Sequence, residues 1–167
     1  QFRTELYEAR HFIRREALLA ELLHLVLGQG FAGFDHHPGF DRLAALRRDP
    51  ALTGLRRSLD VYYGDADRDA AMDRLYAGFV KPGDLAFDIG SHVGDRIGAF
   101  RRCGARVVAL EPQPDCARVI RELYRGDIGV TLVESACGPK PGKLTLHINS
   151  ANPTVTTAST EFVKAAD

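Results

Sequence analysis

The stretch Phe87-Asp88-Ile89-Gly90-Ser91-His92-Val93-Gly94-Asp95 gathers residue types suited to binding a carboxylate, a phosphate or a nucleoside. Gly90 and Gly94 remove side chains where backbone and ligand must approach closely, and a helix starting behind them would offer free amides to an anion. The glycines at 90, 94 and 98 read GxxxGxxxG, which is not the GxGxxG of dinucleotide binders. Glu111 ends a second apolar run about 20 residues after Asp88, where an acidic side chain can accept both hydroxyls of a ribose. Its plainer reading is a solvated strand-end carboxylate ahead of the Pro112-Gln113-Pro114 turn; the glycine turn in register upstream favours the ribose role. Asp88 reads either as a helix-capping carboxylate or as a contact, direct or through water, for a ligand's amino group. The small residues Ser135 and Ala136, after a third run, are placed to floor an adenine pocket.

Other chemistry-bearing residues divide between functional and ordinary readings. His92, at the mouth of the turn, is the best titratable candidate for a general base, but shaping the loop is its simpler role. Asn149-Ser150-Ala151-Asn152-Pro153-Thr154 either leans over the cleft, with Ser150 and Asn152 meeting an acceptor, or is an Asn-Pro turn. His147, in an alternating strand, reads as structural. Asp35-His36-His37 with Asp41 has metal-binding residue types, yet glycine-rich flanks favour a solvated loop, so no metal is expected. Cys103, Cys116 and Cys137 have no neighbouring His in sequence, which suits buried or idle thiols better than a nucleophile. Arg47-Arg48 and Arg101-Arg102 read as solvated faces.

The elements that must position these groups fall into two regions. Up to residue 80 the pattern is helical: apolar residues recur at helical spacing from Phe2 to Leu27, with Gly28 as a stop, and shorter helices are predicted around Asp41–Arg48 and Ala66–Phe79. Gly28 to Phe40 reads as loop. The apolar N-terminal face must pack on the second region or on another copy, so a homo-oligomer through that helix is one expectation. From residue 81 the grammar changes. Apolar runs at Leu85–Ile89, Arg106–Glu111 and Val130–Glu134 alternate with helical segments near Gly94–Cys103 and Pro114–Tyr124. Strand–helix–strand–helix–strand with short connections specifies a doubly wound parallel α/β layer. Lys143–Ile148 alternates and is expected to form a hairpin with the segment before it.

Composition excludes several classes. The 167-residue chain balances 22 Lys+Arg against 22 Asp+Glu, which argues against a nucleic-acid module needing a cationic face. The longest apolar run, Leu18–Leu27, is shorter than the roughly 20 residues that span a bilayer and lacks a signal-peptide cleavage site. Three cysteines with no CxxC argue against a disulfide scaffold and point to the cytoplasm as the expected compartment.

Four blocks together carry a family resemblance: KPGDLAFDIGSHVGDR, ARVVALEPQPD, VTLVESACG and LHINSANPTVTT. In this order they resemble the FkbM-type methyltransferases, a family of class I S-adenosylmethionine-dependent enzymes, over residues 79–159. The resemblance implies a Rossmann-like fold that binds S-adenosylmethionine and methylates a hydroxyl of a glycan, polyketide or related small molecule. By position, Asp88, Gly90, Ser91, His92, Val93 and Gly94 would face the methionine part and Glu111 the ribose. Pro112 and Gln113 would flank the adenosine, with Ser135 and Ala136 beside the base. Residues 81–167 would then be the N-terminal half of the cofactor-binding domain, preceded by the helical region 1–80.

The resemblance also implies further strands after Asp167, one commonly reading IKIDVEG, and without them the apolar strand Leu85–Ile89 lies at a bare edge. With Gln rather than Met at position 1, the expectation is that residues are missing or that another chain covers this edge. Two other functions compete: a nicotinamide-dependent Rossmann enzyme, disfavoured by the absent GxGxxG, and a non-catalytic nucleotide-binding remnant fused to an oligomerising helical region.

Overall fold

The computed structural model describes residues 4–14, 40–139, 141–149 and 151–166. Strand β1 (Thr4–Arg14) is followed by helix α1 (Phe40–Arg48), a 3-10 turn (Pro50–Leu55), α2 (Arg56–Tyr63) and α3 (Ala66–Ala77). The α/β layer then runs β2 (Leu85–Ile89), α4 (Asp95–Arg102), β3 (Arg106–Leu110), α5 (Pro114–Leu123) and β4 (Val130–Val133). The chain continues through β5 (Ala136–Gly138), β6 (Gly142–Asn149), a 3-10 turn (Pro153–Val155) and α6 (Thr160–Ala166).

Local chemistry sets many of these boundaries. Asp65 caps α3 by accepting from the amides of Asp67 at 2.9 Å and Arg68 at 3.1 Å. Asp49 does the same for the 3-10 turn through Ala51. Pro114 opens α5, where its missing N–H costs nothing, and Asp115 complements the helix dipole. Cys116, Val119, Ile120 and Leu123 then form one buried stripe at helical spacing.

The sheet is the Rossmann-like parallel layer, alternating with helices, that the sequence specifies. β3 lies between β2 and β4, all parallel, with Leu85 opposite Arg106 and Val107 opposite Val130. Its two faces are both apolar. Val107 and Ala109 join one cluster, while Val108 and Leu110 pack with Leu85, Phe87 and Val133 on the other side. Among the described residues β2 pairs with β3 alone, and Ile89 at its end is 59% exposed.

A single core joins the helices to this sheet. Leu43, Leu46, Leu52, Leu55 and Leu59 belong to the same buried cluster as Val93, Ile97, Val107, Val119 and Ile120. The helical stretch 40–77 is therefore packed as a layer of the α/β unit.

The N-terminus departs from expectation. Thr4–Arg14 is a strand rather than the start of a helix over Phe2–Leu27, so this part cannot supply a helical face for self-association. It lies between β5 and β6, parallel to β5 (Phe12 opposite Ala136) and antiparallel to β6 (Thr4 opposite Asn149). The segment contains the β-formers Thr4, Tyr7, Phe12 and Ile13, and long-range pairing overrides its helical period. Residues 15–39, including the rest of the expected helix, its stop at Gly28 and the Asp35-His36-His37 cluster, lie outside the described residues. The expected hairpin is corrected too, because β1 intervenes between β6 and β5. Among the described residues no helix is long and apolar enough to cross a membrane.

The Arg101-Arg102 pair also reads differently, whereas Arg48 is exposed as expected. Arg101 is buried, with its guanidinium on Asp127 at 2.9 Å and on the Ala105 carbonyl, and Arg102 pairs with Asp73 at 2.8 Å. Both carboxylates are remote in sequence, so helical spacing alone placed these cations on a solvated face.

If the helices and the sheet share one core, Leu59→Ala should cost about 2–5 kcal/mol in urea unfolding. The loss should appear in one transition, seen alike by circular dichroism and tyrosine fluorescence. Two separated transitions would contradict a shared core.

Candidate functional site

The chain leaves β2 at Ile89 and reverses at Gly90, whose φ of 77° is left-handed. The amides of Gly90 and Ser91 both donate to the Leu110 carbonyl, at 2.9 and 3.1 Å, tying the turn to the end of β3. Ser91 Oγ donates to the Asp88 carbonyl at 2.8 Å. His92 is also left-handed, with φ of 51°, a conformation that costs a side-chain-bearing residue about 1–3 kcal/mol unless its surroundings fix it.

Those surroundings are dense. The His92 amide donates to Glu111 Oε2 at 2.8 Å. Its ring meets Ser58 Oγ through Nε2 at 2.9 Å and Cys116 Sγ through Nδ1 at 3.5 Å, with the Tyr62 ring edge-on. Burial lowers the imidazole's pKa, with Arg96 adding to the effect and Asp95 opposing it. Both ring nitrogens are engaged within the protein, so His92 holds the turn in shape. Burial pushes the Cys116 thiol up, the opposite of what a thiolate nucleophile needs.

Glu111 closes the other side. It is 2% exposed, and its Oε1 accepts the Gln113 amide at 2.8 Å while Oε2 accepts that of His92. Burial pushes its carboxyl up to about 7, against the pull of those two amides and with the charge of Asp88 adding to the rise. Asp88 is also buried, and burial raises its pKa against the opposing charge of Arg96. Its Oδ2 has no hydrogen-bond partner among the described residues. The helix-capping reading of Asp88 is not met, since α4 begins at Gly94 with no side-chain cap.

These groups border a cavity of about 370 Å³, within the range of small-molecule sites. It opens beyond the carboxyl ends of β2 and β3, where parallel α/β sheets bind ligands. Gly90, His92, Asp95 and Arg96 form one wall, and Glu111, Pro112 and Gln113 another. Tyr62 reaches in from α2, and Leu146 with the strap Pro153–Ala158 covers the remaining side. The strap is fastened twice. Thr157 and His147 exchange backbone hydrogen bonds, and Thr156 Oγ1 donates to Gln113 Oε1 at 2.8 Å.

Of the residues singled out from sequence, Gly90, His92, Glu111, Pro112 and Gln113 therefore meet at one cavity. Ser91, Val93 and Gly94 are buried behind it, as is Asp88. Ser135 is buried and Ala136 belongs to β5, and neither lines the cavity. Asn149 Oδ1 accepts from the amides of Ala151 and Asn152, an Asx turn that launches the strap. Asn152 itself is exposed and accepts from Thr154, while Ser150 lies outside the described residues. Cys103, Cys116 and Cys137 are all free thiols.

Tyr62 and Arg96 were not legible as site residues, and Asp95 was marked only as the end of the glycine stretch. Asp95 is held by Arg68 at 2.9 Å, and that guanidinium also lies over the Tyr62 ring. Tertiary packing alone assembles this group, although the Tyr62-Tyr63 pair ahead of a capped helix was a usable signal. Among the described residues no group of three or more His, Cys, Asp or Glu could hold a metal ion, and Asp41 is exposed on α1. No protein-family model and no curated protein matches the chain. What the fold and site define is thus a class: a Rossmann-like α/β layer with a cavity at its strand ends.

The two turn glycines should respond differently to alanine. At Gly90 the added methyl meets open space, so only the left-handed conformation is penalised, by about 1–2 kcal/mol. At Gly94 the methyl would lie 3.1–3.2 Å from side-chain atoms of Tyr124, Ile120 and Ile97, and Gly94→Ala should be clearly worse in urea melts. Equal losses would mean the turn repacks freely.

Glu111 gives a pH signature. Its carboxyl is raised in the fold from about 4.5 to about 7, so its stabilising contribution is complete below pH 4.5 and is lost as pH rises to about 7. The stability difference between wild type and Glu111→Gln should fall across that window and level off above it. A difference independent of pH would refute the raised carboxyl.

Proposed function

We propose that the protein is an S-adenosylmethionine-dependent methyltransferase acting on a hydroxyl of a glycan, polyketide or related small molecule. The observation that carries this reading is the position of Glu111: buried, in the cavity wall, and facing the glycine turn across the ends of β2 and β3. A carboxylate offers about four lone-pair sites, and two backbone amides use half of them. The remainder suits the two hydroxyls of a ribose.

The other residues fit the same ligand. Gly90 leaves open the space that a side chain would fill beside the cavity. The Oδ2 of buried Asp88, without a hydrogen-bond partner among the described residues, is an acceptor behind the turn suited to an amino group held through water. Pro112 and Gln113 flank the adenosine side, and Thr154, Thr156 and Thr157 present a polar strap toward an acceptor. Once bound, the cofactor would supply an electrophilic methyl group; the chain's part is to align the acceptor oxygen and exclude water. The four residue blocks that resemble FkbM-type methyltransferases support the same assignment, and three free thiols suit a cytoplasmic setting.

The shared core counts against an oligomerising helical appendage, and the glycine spacing counts against a nicotinamide enzyme. Calorimetric titration with S-adenosylmethionine, S-adenosylhomocysteine and NAD tests the proposal. Micromolar binding of the first two, lost in Glu111→Ala, is expected; binding of NAD alone would overturn it.

A further inference from the structure

The turn that borders the cavity is gripped from behind by two phenols outside the cavity wall. Tyr63, the last residue of α2, donates its hydroxyl to the Val93 carbonyl at 2.7 Å. Tyr124, immediately after α5, donates to the Gly94 carbonyl at 2.6 Å. Burial raises the pKa of both phenols, so each stays a neutral donor.

The two carbonyls are consecutive, and they sit at the strained part of the loop. His92 before them and Gly94 among them are both left-handed. Val93 is fully buried and Gly94 is buried, so a carbonyl that lost its hydroxyl partner could not turn to bulk water without moving the turn. The turn in turn sets Glu111, because the His92 amide donates to Oε2. The two phenols come from different elements, one from the helices before β2 and one from the crossover between β3 and β4, and meet in one buried cluster behind the turn.

We propose that Tyr63 and Tyr124 are positioning residues for ligand binding, fixing the 92–94 turn and through it the Glu111 carboxylate. This rests on the S-adenosylmethionine reading of the cavity for its ligand, though not for its geometry. The helices ahead of the sheet thus contribute to affinity through Tyr63, a residue that does not line the cavity.

Tyr63→Phe and Tyr124→Phe delete one oxygen each and keep the rings. Tyr76→Phe is the control, since Tyr76 packs on Phe79 and Phe100 and makes no bond to the turn. Titration with S-adenosylhomocysteine, well below every melting temperature, should show each of the first two binding about five- to tenfold more weakly. Tyr76→Phe should bind as wild type does. Carbon-13 NMR of the Glu111 carboxyl supplies a reading that needs no ligand: loosening the His92 amide removes a bond that favours the carboxylate. The titration midpoint should therefore rise above its wild-type position of about 7 in Tyr63→Phe and Tyr124→Phe, and stay put in Tyr76→Phe. Unchanged midpoints would overturn the proposal whether or not wild type binds the nucleoside. Wild type failing to bind, with midpoints shifted as described, would sink the methyltransferase reading and leave the positioning role standing.

Discussion

One buried carboxylate ties together the two loops from which the site is made. Glu111 directly follows β3 and accepts one amide from the loop after β2, at His92, and one from its own following turn, at Gln113. A carboxylate out of water must be satisfied by donors, and both of these are backbone groups that cannot be supplied unless the loops adopt these conformations. The left-handed His92 and the reversal at Gly90 follow from that demand, reinforced by the paired amides on the Leu110 carbonyl. The cavity is the space left when both loops have been drawn to one acid.

Around this centre the helical layer acts as a brace. Ser58 reaches the His92 ring, Tyr63 the Val93 carbonyl, and Arg68 the buried Asp95 at the start of α4. Each is a polar contact placed on top of an apolar contact surface that runs from Leu43 to Leu59 and into the sheet. Hydrophobic burial supplies most of the packing energy, and the polar contacts select the one arrangement in which the turn is fixed.

The α/β alternation from Leu85 to Val133 was legible because each strand is a short apolar run closed by turn residues, and each helix carries its own start signal. The convergence of Gly90, His92, Glu111, Pro112 and Gln113 followed from topology, since strand ends in a parallel layer share one edge. β1 was not legible, because Thr4–Arg14 owes its conformation to β5 and β6 at the far end of the chain, and a local window sees only its helical period. Tyr62, Arg96 and Arg68 escaped for the same reason. The burial of Arg101 against Asp127 depends on a loop after α5, which no helical spacing encodes.

The strap over the cavity has unequal fastenings. At Thr157 two backbone bonds hold it to β6, whereas at Thr156 a lone hydroxyl reaches Gln113. Two consecutive residues thus tie the strap to different sheets, Thr157 to a strand of one and Thr156 to the turn after β3 of the other. The hollow is thereby bordered by both sheets at once, and its outline depends on how the second sheet is seated as much as on the first.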